Sequence, residues 1–356
     1  ILYQSAWKSQ FLSGMMQPIM MFVGNLGYVG VAILGGYLAM NGSITVGDIQ
    51  SFITYVRSFN QPISMIAQNM NILQSTAAAA ERVFAFLEEE EEVPECENPV
   101  EIYDADGHTD IQGQVTFENV HFGYRPDKVI IHDFSMYIKP GRKIAIVGPT
   151  GAGKTTIIKL LMRFYELNSG TIYIDGIPTT QMRRSDLRSL FGMVLQDAWL
   201  FGGTVMENLR YGRPDATDEE VIKAADAAYV DHFIRTLDHG YQTVINEESS
   251  NISQGQKQLL TIARAFLADP KILILDEATS SVDTRTEVLI QKGMQKLMEN
   301  RTSFVIAHRL STIRDADLIL VMKDGDIIEA GSHDELMKAD GFYTQLYNSQ
   351  FDEEEE

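Results

Sequence analysis

The chain has 356 residues, which is enough for two domains of ordinary size. Its 29 lysine and arginine residues are outnumbered by 49 aspartate and glutamate residues, so the formal net charge is −20. This balance argues against a nucleic-acid partner held through phosphate contacts, because such binding needs a clustered positive surface. The single cysteine, Cys96, excludes an internal disulfide bond and favours a reducing compartment.

The N-terminal part of the chain holds a long apolar segment. No charged residue lies between Lys8 and Asp48, and residues 15–40 are mostly apolar with several glycines. Such a length crosses about 30 Å of hydrocarbon, and small residues favour close helix packing in lipid. A buried helix of a soluble protein is the alternative, but the segment is too long and too uncharged for one. Because no basic leader follows Ile1, we expect no signal peptide and interpret the chain as a segment of a longer protein.

A second long segment runs from about residue 49 to 73 and is interrupted by polar residues. We predict that it is a returning helix whose polar side faces other protein or a water-filled cavity. Arg57 would then lie about 12 Å from the start of the helix. An arginine at that depth either serves function or extends its charge to the membrane interface, and the sequence leaves both open. The helix is expected to continue through 75–84 as a soluble extension. Two crossings would place both ends of the pair on the same side of the membrane.

The remaining chain is predicted to comprise a linker, a globular domain and a tail. Residues 1–88 are assigned to the membrane part, 89–112 to an acidic, proline-containing linker, and 351–356 to an acidic tail. Between them, 113–350 alternates short apolar strands with amphipathic helices. This alternation predicts an α/β domain with a mostly parallel sheet covered by helices.

A glycine-rich loop in this domain follows an apolar strand, Ile144–Val147, and precedes a helical pattern. The loop matches G-x-x-x-x-G-K-[ST], whose backbone N–H groups and helix N-terminus cradle phosphates. Lys154 is expected to reach the β- and γ-phosphates, and the Thr155 hydroxyl to bind Mg²⁺. The predicted nucleotide-binding residues of the loop are Gly148, Thr150, Gly151, Ala152, Gly153, Lys154, Thr155 and Thr156.

Two further motifs carry chemistry. The strand 271–275 ends in Asp276 and Glu277, which suit a magnesium-binding carboxylate and a general base for water, respectively. Ser253, followed three residues later by Gln256, predicts a capping box that opens the helix Lys257–Ala268.

The order of these motifs resembles the ATP-binding domains of ABC transporters. The order comprises the phosphate loop, Gln196, Ser253-Gln254-Gly255-Gln256, Asp276-Glu277, and finally His308. The resemblance covers about 113–350, and residues 1–88 resemble the last two transmembrane helices of an ABC exporter half. It implies a P-loop ATPase fold of ABC type with ATP and Mg²⁺ as cofactors.

The resemblance also implies roles for individual residues. Tyr124 would stack on adenine, Gln196 would sense Mg²⁺ and the γ-phosphate, and His308 would orient Glu277. Thr155, Gln196 and Asp276 would hold the metal, while Glu277, His308, Lys154 and Gln196 would form the catalytic set. Ser253, Gly255 and Gln256 would contact ATP held by another subunit, with Asp283 at the dimer seam. Glu247 loosely matches an acidic loop residue that contacts the membrane domain.

One residue departs from the family pattern. Gln254 stands where the usual Leu-Ser-Gly-Gly-Gln element has glycine, which permits close approach of the backbone to phosphate. The ATP site that borrows this element would be impaired, whereas the loop, Asp276, Glu277 and His308 of this chain are intact. We therefore favour a heterodimer with a second half-transporter over a homodimer that tolerates Gln254.

The sequence thus predicts an ATP-hydrolysing exporter subunit that moves an amphiphile across a membrane in contact with lipid, and no nucleic-acid partner. The expected location is a bacterial cell membrane with the ATP-binding domain in the cytoplasm. The alternative is a soluble ABC-type ATPase acting in translation or DNA repair, which the apolar segments disfavour.

Overall fold

The computed structural model describes residues 2–104, 107–195, 198–246, 251–276, 282–306 and 310–351. The chain divides into two compact units, Ile1–Glu92 and Val93–Glu356. Each unit is described by itself below.

The first unit contains two long helices, α1 (Leu2–Met40) and α2 (Val46–Leu87). Both are longer than the sequence pattern indicated, and the predicted extension of α2 beyond residue 73 is confirmed. Thr45 begins α2 with a capping box. Its hydroxyl accepts from the Asp48 N–H at 3.3 Å, while the Asp48 carboxylate accepts from the Thr45 N–H at 2.8 Å. Gly42, with φ +71°, permits the turn that precedes this cap.

The two helices pack where α1 offers a glycine. Gly35 is buried, and a Cβ atom added there would lie 2.9 Å from Cγ1 of Ile49 on α2. Within the described residues, the stretch Pro18–Met40 of α1 is the one helix that is long and apolar enough to cross a membrane by length and composition. Helix α2 is slightly longer than α1, but its polar residues lower its hydropathy.

The second unit contains an array of short strands and helices. Its strands are β1 (Val115–Phe122), β2 (Ile131–Ile138), β3 (Lys143–Val147), β4 (Ser169–Ile174), β5 (Ile177–Pro178), β6 (Phe191–Val194), β7 (Gly203–Thr204), β8 (Val244–Ile245), β9 (Ile272–Asp276), β10 (Thr302–Ile306), β11 (Leu318–Lys323) and β12 (Asp326–Gly331). Its helices are α3 (Lys154–Leu161), α4 (Arg184–Ser189), α5 (Val205–Arg210), α6 (Asp218–Ala227), α7 (Asp231–Thr236), α8 (Gln254–Ala268), α9 (Thr284–Met298), α10 (Leu310–Arg314), α11 (His333–Ala339) and α12 (Phe342–Phe351).

The strands form three sheets. The largest has the order β12-β11-β3-β10-β9-β6 and is parallel except for β12, which confirms the predicted mostly parallel sheet. A second, antiparallel sheet has the order β2-β1-β4-β5, and β7 pairs with β8. The separate antiparallel sheet was not expected from the sequence.

The large sheet is buried on both faces. Along β9, Leu273 and Leu275 belong to one apolar core, whereas Ile272 and Ile274 belong to another. Because successive residues of a strand point to opposite faces, a strand covered on both sides must be apolar throughout. This explains why the central strands read as continuous apolar runs.

The segment after Val93, within the predicted linker, packs in the second unit. Ile102 and Ile111 are buried in its core. The Glu95 carboxylate accepts from the backbone N–H of Arg184 at 3.0 Å and pairs with its guanidinium at 3.4 Å. The Arg184 side chain is buried, so its charge needs such partners.

Candidate nucleotide site

The glycine-rich loop joins β3 to α3, and its three glycines all have positive φ. Gly148 has φ +146°, and a Cβ there would lie 2.1 Å from the carbonyl oxygen of Met322, so only glycine fits. Gly151 and Gly153 have φ +87° and +100°, a region that disfavours other residues. The loop conformation therefore depends on these residue types directly.

The start of α3 leaves hydrogen-bond donors free. Within the described chain, the backbone N–H groups of residues 153–156 form no hydrogen bond to a protein acceptor, and the first such bond of the helix is donated by Ile157 to the Gly153 carbonyl at 3.0 Å. Free N–H groups at a helix N-terminus favour an anion. The loop thus has the donors that a phosphate requires.

Lys154 lies over this loop. Its ammonium donates to the carbonyls of Gly148 at 2.6 Å and Pro149 at 3.0 Å. Burial lowers the pKa of Lys154, and the nearby Asp276 carboxylate acts in the opposite direction. Among the described residues, no carboxylate lies within ion-pair distance of the Lys154 ammonium. The ammonium is therefore available to phosphate oxygens.

The sheet order brings the other motifs to the same edge. Strands β3, β10, β9 and β6 lie side by side and parallel, so their carboxyl ends share one edge. The phosphate loop follows β3, and Asp276 ends β9. In sequence, His308 follows β10 and Gln196 follows β6. In open α/β sheets, ligands bind in the crevice outside the carboxyl ends of the strands, and these motifs lie at that edge.

Four predicted residues lie outside the described residues, namely Gln196, Glu247, Glu277 and His308. Their roles therefore stay predictions. The strands that precede three of them in sequence are described, and these carry the positional argument given above.

An aromatic cluster surrounds the predicted adenine-binding residue. Tyr124 is half-exposed, and its hydroxyl lies 3.3 Å from the Thr156 hydroxyl. Tyr165 meets Tyr124 edge-on with ring centroids 5.0 Å apart, and the Lys159 ammonium lies 5.8 Å from the centre of the Tyr124 ring. Phe122, which is buried, contacts both tyrosines. Sequence reasoning missed Tyr165, since an aromatic after a helix carries no local signal of this contact.

The four residues 253–256, called the Ser253 element below, lie at the start of α8. The predicted capping box is confirmed. The Ser253 hydroxyl accepts from the Gln256 N–H at 3.4 Å, and the Gln256 side chain accepts from the Ser253 N–H at 3.0 Å. A Cβ on Gly255 would lie 2.6 Å from Cγ2 of Thr286 and 2.7 Å from Cγ1 of Val282. Gly255 thus has a packing reason of its own, whereas the Gln254 side chain is exposed.

The structure does not bring the Ser253 element to the phosphate loop. Among the described residues, no hydrogen bond or ion pair joins Ser253, Gly255 or Gln256 to residues 148–156. Asp283 caps α9 by accepting from the Thr286 N–H at 2.9 Å, and this bond lowers its pKa. These residues form a second group, distinct from the loop of the same chain.

The residues present fit a magnesium ion only as part of a nucleotide complex. The described part of the chain holds no cluster of three or more histidine, cysteine or acidic side chains that could bind a metal alone. The Thr155 hydroxyl and Asp276 carboxylate are oxygen donors of the kind that Mg²⁺ prefers, and the ion usually takes further oxygens from phosphates and water.

The fold and the loop define a P-loop nucleotide-binding domain that follows a helical membrane segment. Residues 131–280 match the ABC transporter family, and residues 1–63 match the ABC transporter transmembrane region. The chain belongs to the ABC transporter family. Its first unit is therefore membrane-spanning, and its second unit binds nucleotide on the cytoplasmic side.

Two relatives and one solved structure illustrate the family. The chain is 55% identical over 344 residues to the fatty acid ABC transporter ATP-binding/permease protein of Mycobacterium bovis, covering 97% of this chain and 53% of that protein. It is 41% identical to the ATP-dependent lipid A-core flippase of Desulfotalea psychrophila, covering 94% of this chain and 57% of that protein. The structure of a bacterial Atm1-family ABC exporter with ATP bound is 36% identical, with a TM-score of 0.69, and covers 98% of this chain and 60% of that one. The chain thus spans just over half the length of these relatives.

Proposed function

We propose that this chain is the ATP-hydrolysing part of an ABC exporter subunit, which couples ATP binding and hydrolysis to outward transport of an amphiphile. The observation that carries the proposal is the shared edge of β3, β10, β9 and β6, where the loop with its free N–H groups and Lys154 follows β3 and Asp276 ends β9. The same chain carries the transmembrane match, which supports an exporter over the soluble translation or repair ATPase.

The loop would hold the phosphates of ATP. The N–H groups of residues 153–156 donate to the phosphates, and Lys154 leaves the Gly148 carbonyl to contact the β- and γ-phosphates. Tyr124, steadied by Tyr165, stacks on adenine. Thr155, Asp276 and Gln196 would hold Mg²⁺, which would supply charge stabilisation for the γ-phosphoryl group. Glu277 takes a proton from the attacking water, and His308 orients that carboxylate.

A second subunit would complete each ATP site. Among the described residues, no hydrogen bond or ion pair joins the Ser253 element to the loop of its own chain, which supports its use by ATP held on a partner. Ser253, Gly255 and Gln256 would contact that γ-phosphate, with Asp283 at the seam. The amide side chain of Gln254 is exposed on this surface, where its bulk would oppose close approach of the helix to phosphate. We therefore favour a heterodimer in which this chain supplies the loop and base of the competent site.

The transported compound would be a lipid-like amphiphile. The names of the two relatives include a fatty acid and a lipid A core, and both are amphiphiles with anionic groups. Closure of two nucleotide-bound domains would turn the membrane helices outward, and hydrolysis would reset them.

The test is ATP hydrolysis by the complete protein in lipid, alone and together with a second half-transporter. We expect little hydrolysis alone, restoration by the partner, and loss in Glu277→Gln. Robust hydrolysis by the protein alone would instead support the homodimer. Hydrolysis that survives Glu277→Gln would contradict the assigned base.

A further inference from the structure

Arg57 is an isolated cation in the membrane unit. Between Asp48 and Glu81 it is the sole charged residue of the sequence. It follows Val46, the first residue of α2, by eleven positions, which corresponds to about 16 Å along the helix, and this length is close to half of the roughly 30 Å thickness of a bilayer's hydrocarbon core. Residues 1–63, which include it, match the transmembrane region. A charge at this depth is costly and is usually retained for function.

Among the described residues, the Arg57 side chain has a neutral partner but no counter-ion. The Arg57 guanidinium carbon lies 5.5 Å from the centre of the Tyr28 ring on α1. A cation–π contact of this kind holds the group in place, but it leaves the positive charge and the N–H donors without an acceptor. Within the described chain Arg57 forms no ion pair. The arrangement therefore positions a cation without neutralising it.

Arg57 also belongs to a polar face. Gln50, Thr54, Arg57 and Gln61 follow each other at intervals of four, three and four residues, so they share one side of α2. All four are exposed in this unit, whereas Ile49, Ile53 and Val56 on the neighbouring side are partly buried. A polar face with one charge in a membrane helix faces protein or a water-filled path rather than lipid tails.

We propose that Arg57, supported by Tyr28, binds the anionic head group of the transported amphiphile. The planar guanidinium matches the two oxygens of a carboxylate, or those of a phosphate, in a bidentate manner. Gln50, Thr54 and Gln61 supply further polar contacts along the same face, and the apolar chain of the ligand lies against the apolar remainder of the helices. This inference rests on the proposed function, since it specifies the substrate class of that exporter.

The experiment measures equilibrium binding of radiolabelled ligands to the complete protein in phosphatidylcholine nanodiscs. The ligands are oleate, oleyl phosphate and the uncharged oleyl alcohol. Arg57→Gln is the test variant, and Arg82→Gln, near the end of the same helix, is the matched control. We expect Arg57→Gln to weaken binding of the anionic ligand by about tenfold or more, since a charge-assisted hydrogen bond is lost. Oleyl alcohol binding and the Arg82→Gln protein should be unaffected.

Two further variants keep the result interpretable. Arg57→Lys retains the charge without the bidentate geometry and should restore part of the affinity. Arg57→Glu should lose oleate and gain the cationic oleylamine. Stronger binding of oleate or of oleyl phosphate identifies the head group, and both outcomes support the inference.

The inference is overturned if neither anionic ligand binds, or if Arg57→Gln leaves their affinity unchanged. Equal loss of oleate and oleyl alcohol would also overturn it, because Arg57 would then hold the helices together or pair with a carboxylate of another helix. ATP hydrolysis that depends on Glu277 is measured separately, on the same protein assembled with its partner subunit. Its absence would contradict the proposed function, whereas its presence without selective binding would contradict this inference alone.

Discussion

The two units of this chain use apolar residues in opposite ways. In the second unit, apolar side chains form two cores, one on each face of the six-stranded sheet. In the first unit, Gly35 is the one buried residue among those whose side chains are described, and large apolar residues such as Phe22 and Ile33 are exposed. The second unit thus buries its apolar side chains within itself, whereas the described helices of the first unit leave most of their apolar side chains exposed.

This difference separates the nucleotide site from the proposed substrate contact. The nucleotide site is fixed by contacts inside the second unit, such as Gly148 against the Met322 carbonyl. The proposed substrate contact at Arg57, by contrast, lies on a helix that is largely exposed in the described first unit. Substitutions should therefore have large, local effects in the second unit and smaller, environment-dependent effects in the first.

The largest effect is expected at Lys154. Lys154→Ala should lower ATP hydrolysis by about 10²–10³-fold, because a preorganised positive charge at the phosphates is lost. Thermal stability without nucleotide should change little, since the ammonium bonds only to two loop carbonyls. The control is Lys139→Ala, at an exposed position after β2. Equal losses in both variants would contradict the assignment.

Ser253 allows capping and phosphate contact to be separated. Ser253→Ala should cost about 1 kcal/mol of stability, because an N-cap hydrogen bond is lost. Ser253→Asp keeps a good cap but adds a negative charge, so stability should persist while hydrolysis at the partner's site falls. Thermal melts and hydrolysis rates of the assembled dimer distinguish the two. Full hydrolysis in the aspartate variant would confine Ser253 to capping.

Gly255 tests the packing of the second unit. Gly255→Ala should lower the free energy of unfolding by about 1–3 kcal/mol, because the new methyl group would overlap Thr286 and Val282. The loss appears as a lower Tm of the complete protein. An unchanged Tm would mean that α8 and α9 separate without cost.

Tyr165 tests the aromatic support of the adenine position. Tyr165→Leu removes an edge-on ring contact of the sort that contributes about 0.5–1.5 kcal/mol, so KM for ATP should rise about 2–10-fold. The rate at saturating ATP should hold, since Tyr165 has no contact with the phosphate loop among the described residues. Loss of rate without a change in KM would exclude this positioning role.

A small effect is expected in the membrane unit, at adjacent glycines. Gly35→Ala would press its methyl group on Ile49 at 2.9 Å and should destabilise the helix pair by about 1 kcal/mol. Gly36→Ala meets no atom within 4 Å and should be neutral or stabilising, since alanine favours helix. Protease resistance in nanodiscs compares the two. If both behave alike, the described helix contact is not maintained in lipid.

Much of the second unit could be predicted from the sequence because its signals are local. The strand–loop–helix around Lys154 and the capping box at Ser253 each lie within a few residues, and both are confirmed as local structure. The antiparallel sheet could not be predicted, because β1 pairs with β2 and β4 through contacts that periodicity does not specify. The Tyr165 contact with Tyr124 and the packing of Glu95 on Arg184 likewise join residues far apart in the chain.

In the membrane unit, less of the structure could be predicted from the sequence. The first helix is evident from length and composition, although α1 begins well before the apolar stretch at residue 15. Polar residues interrupt α2, so the sequence predicts it only as the returning partner of α1. The contact of Arg57 with Tyr28 depends on the register of the helix pair, which apolar composition leaves open. The assignments of Gln196, Glu277 and His308 stay predictions.

The most direct test of the account is ATP-driven transport by the complete protein with its partner subunit. Labelled oleate is measured in inside-out vesicles with ATP, using wild type and Glu277→Gln. We predict ATP-dependent accumulation of oleate inside the vesicles by wild type and none by the variant. Sustained ATP hydrolysis without movement of any amphiphile would contradict the claim that the two units form one exporter.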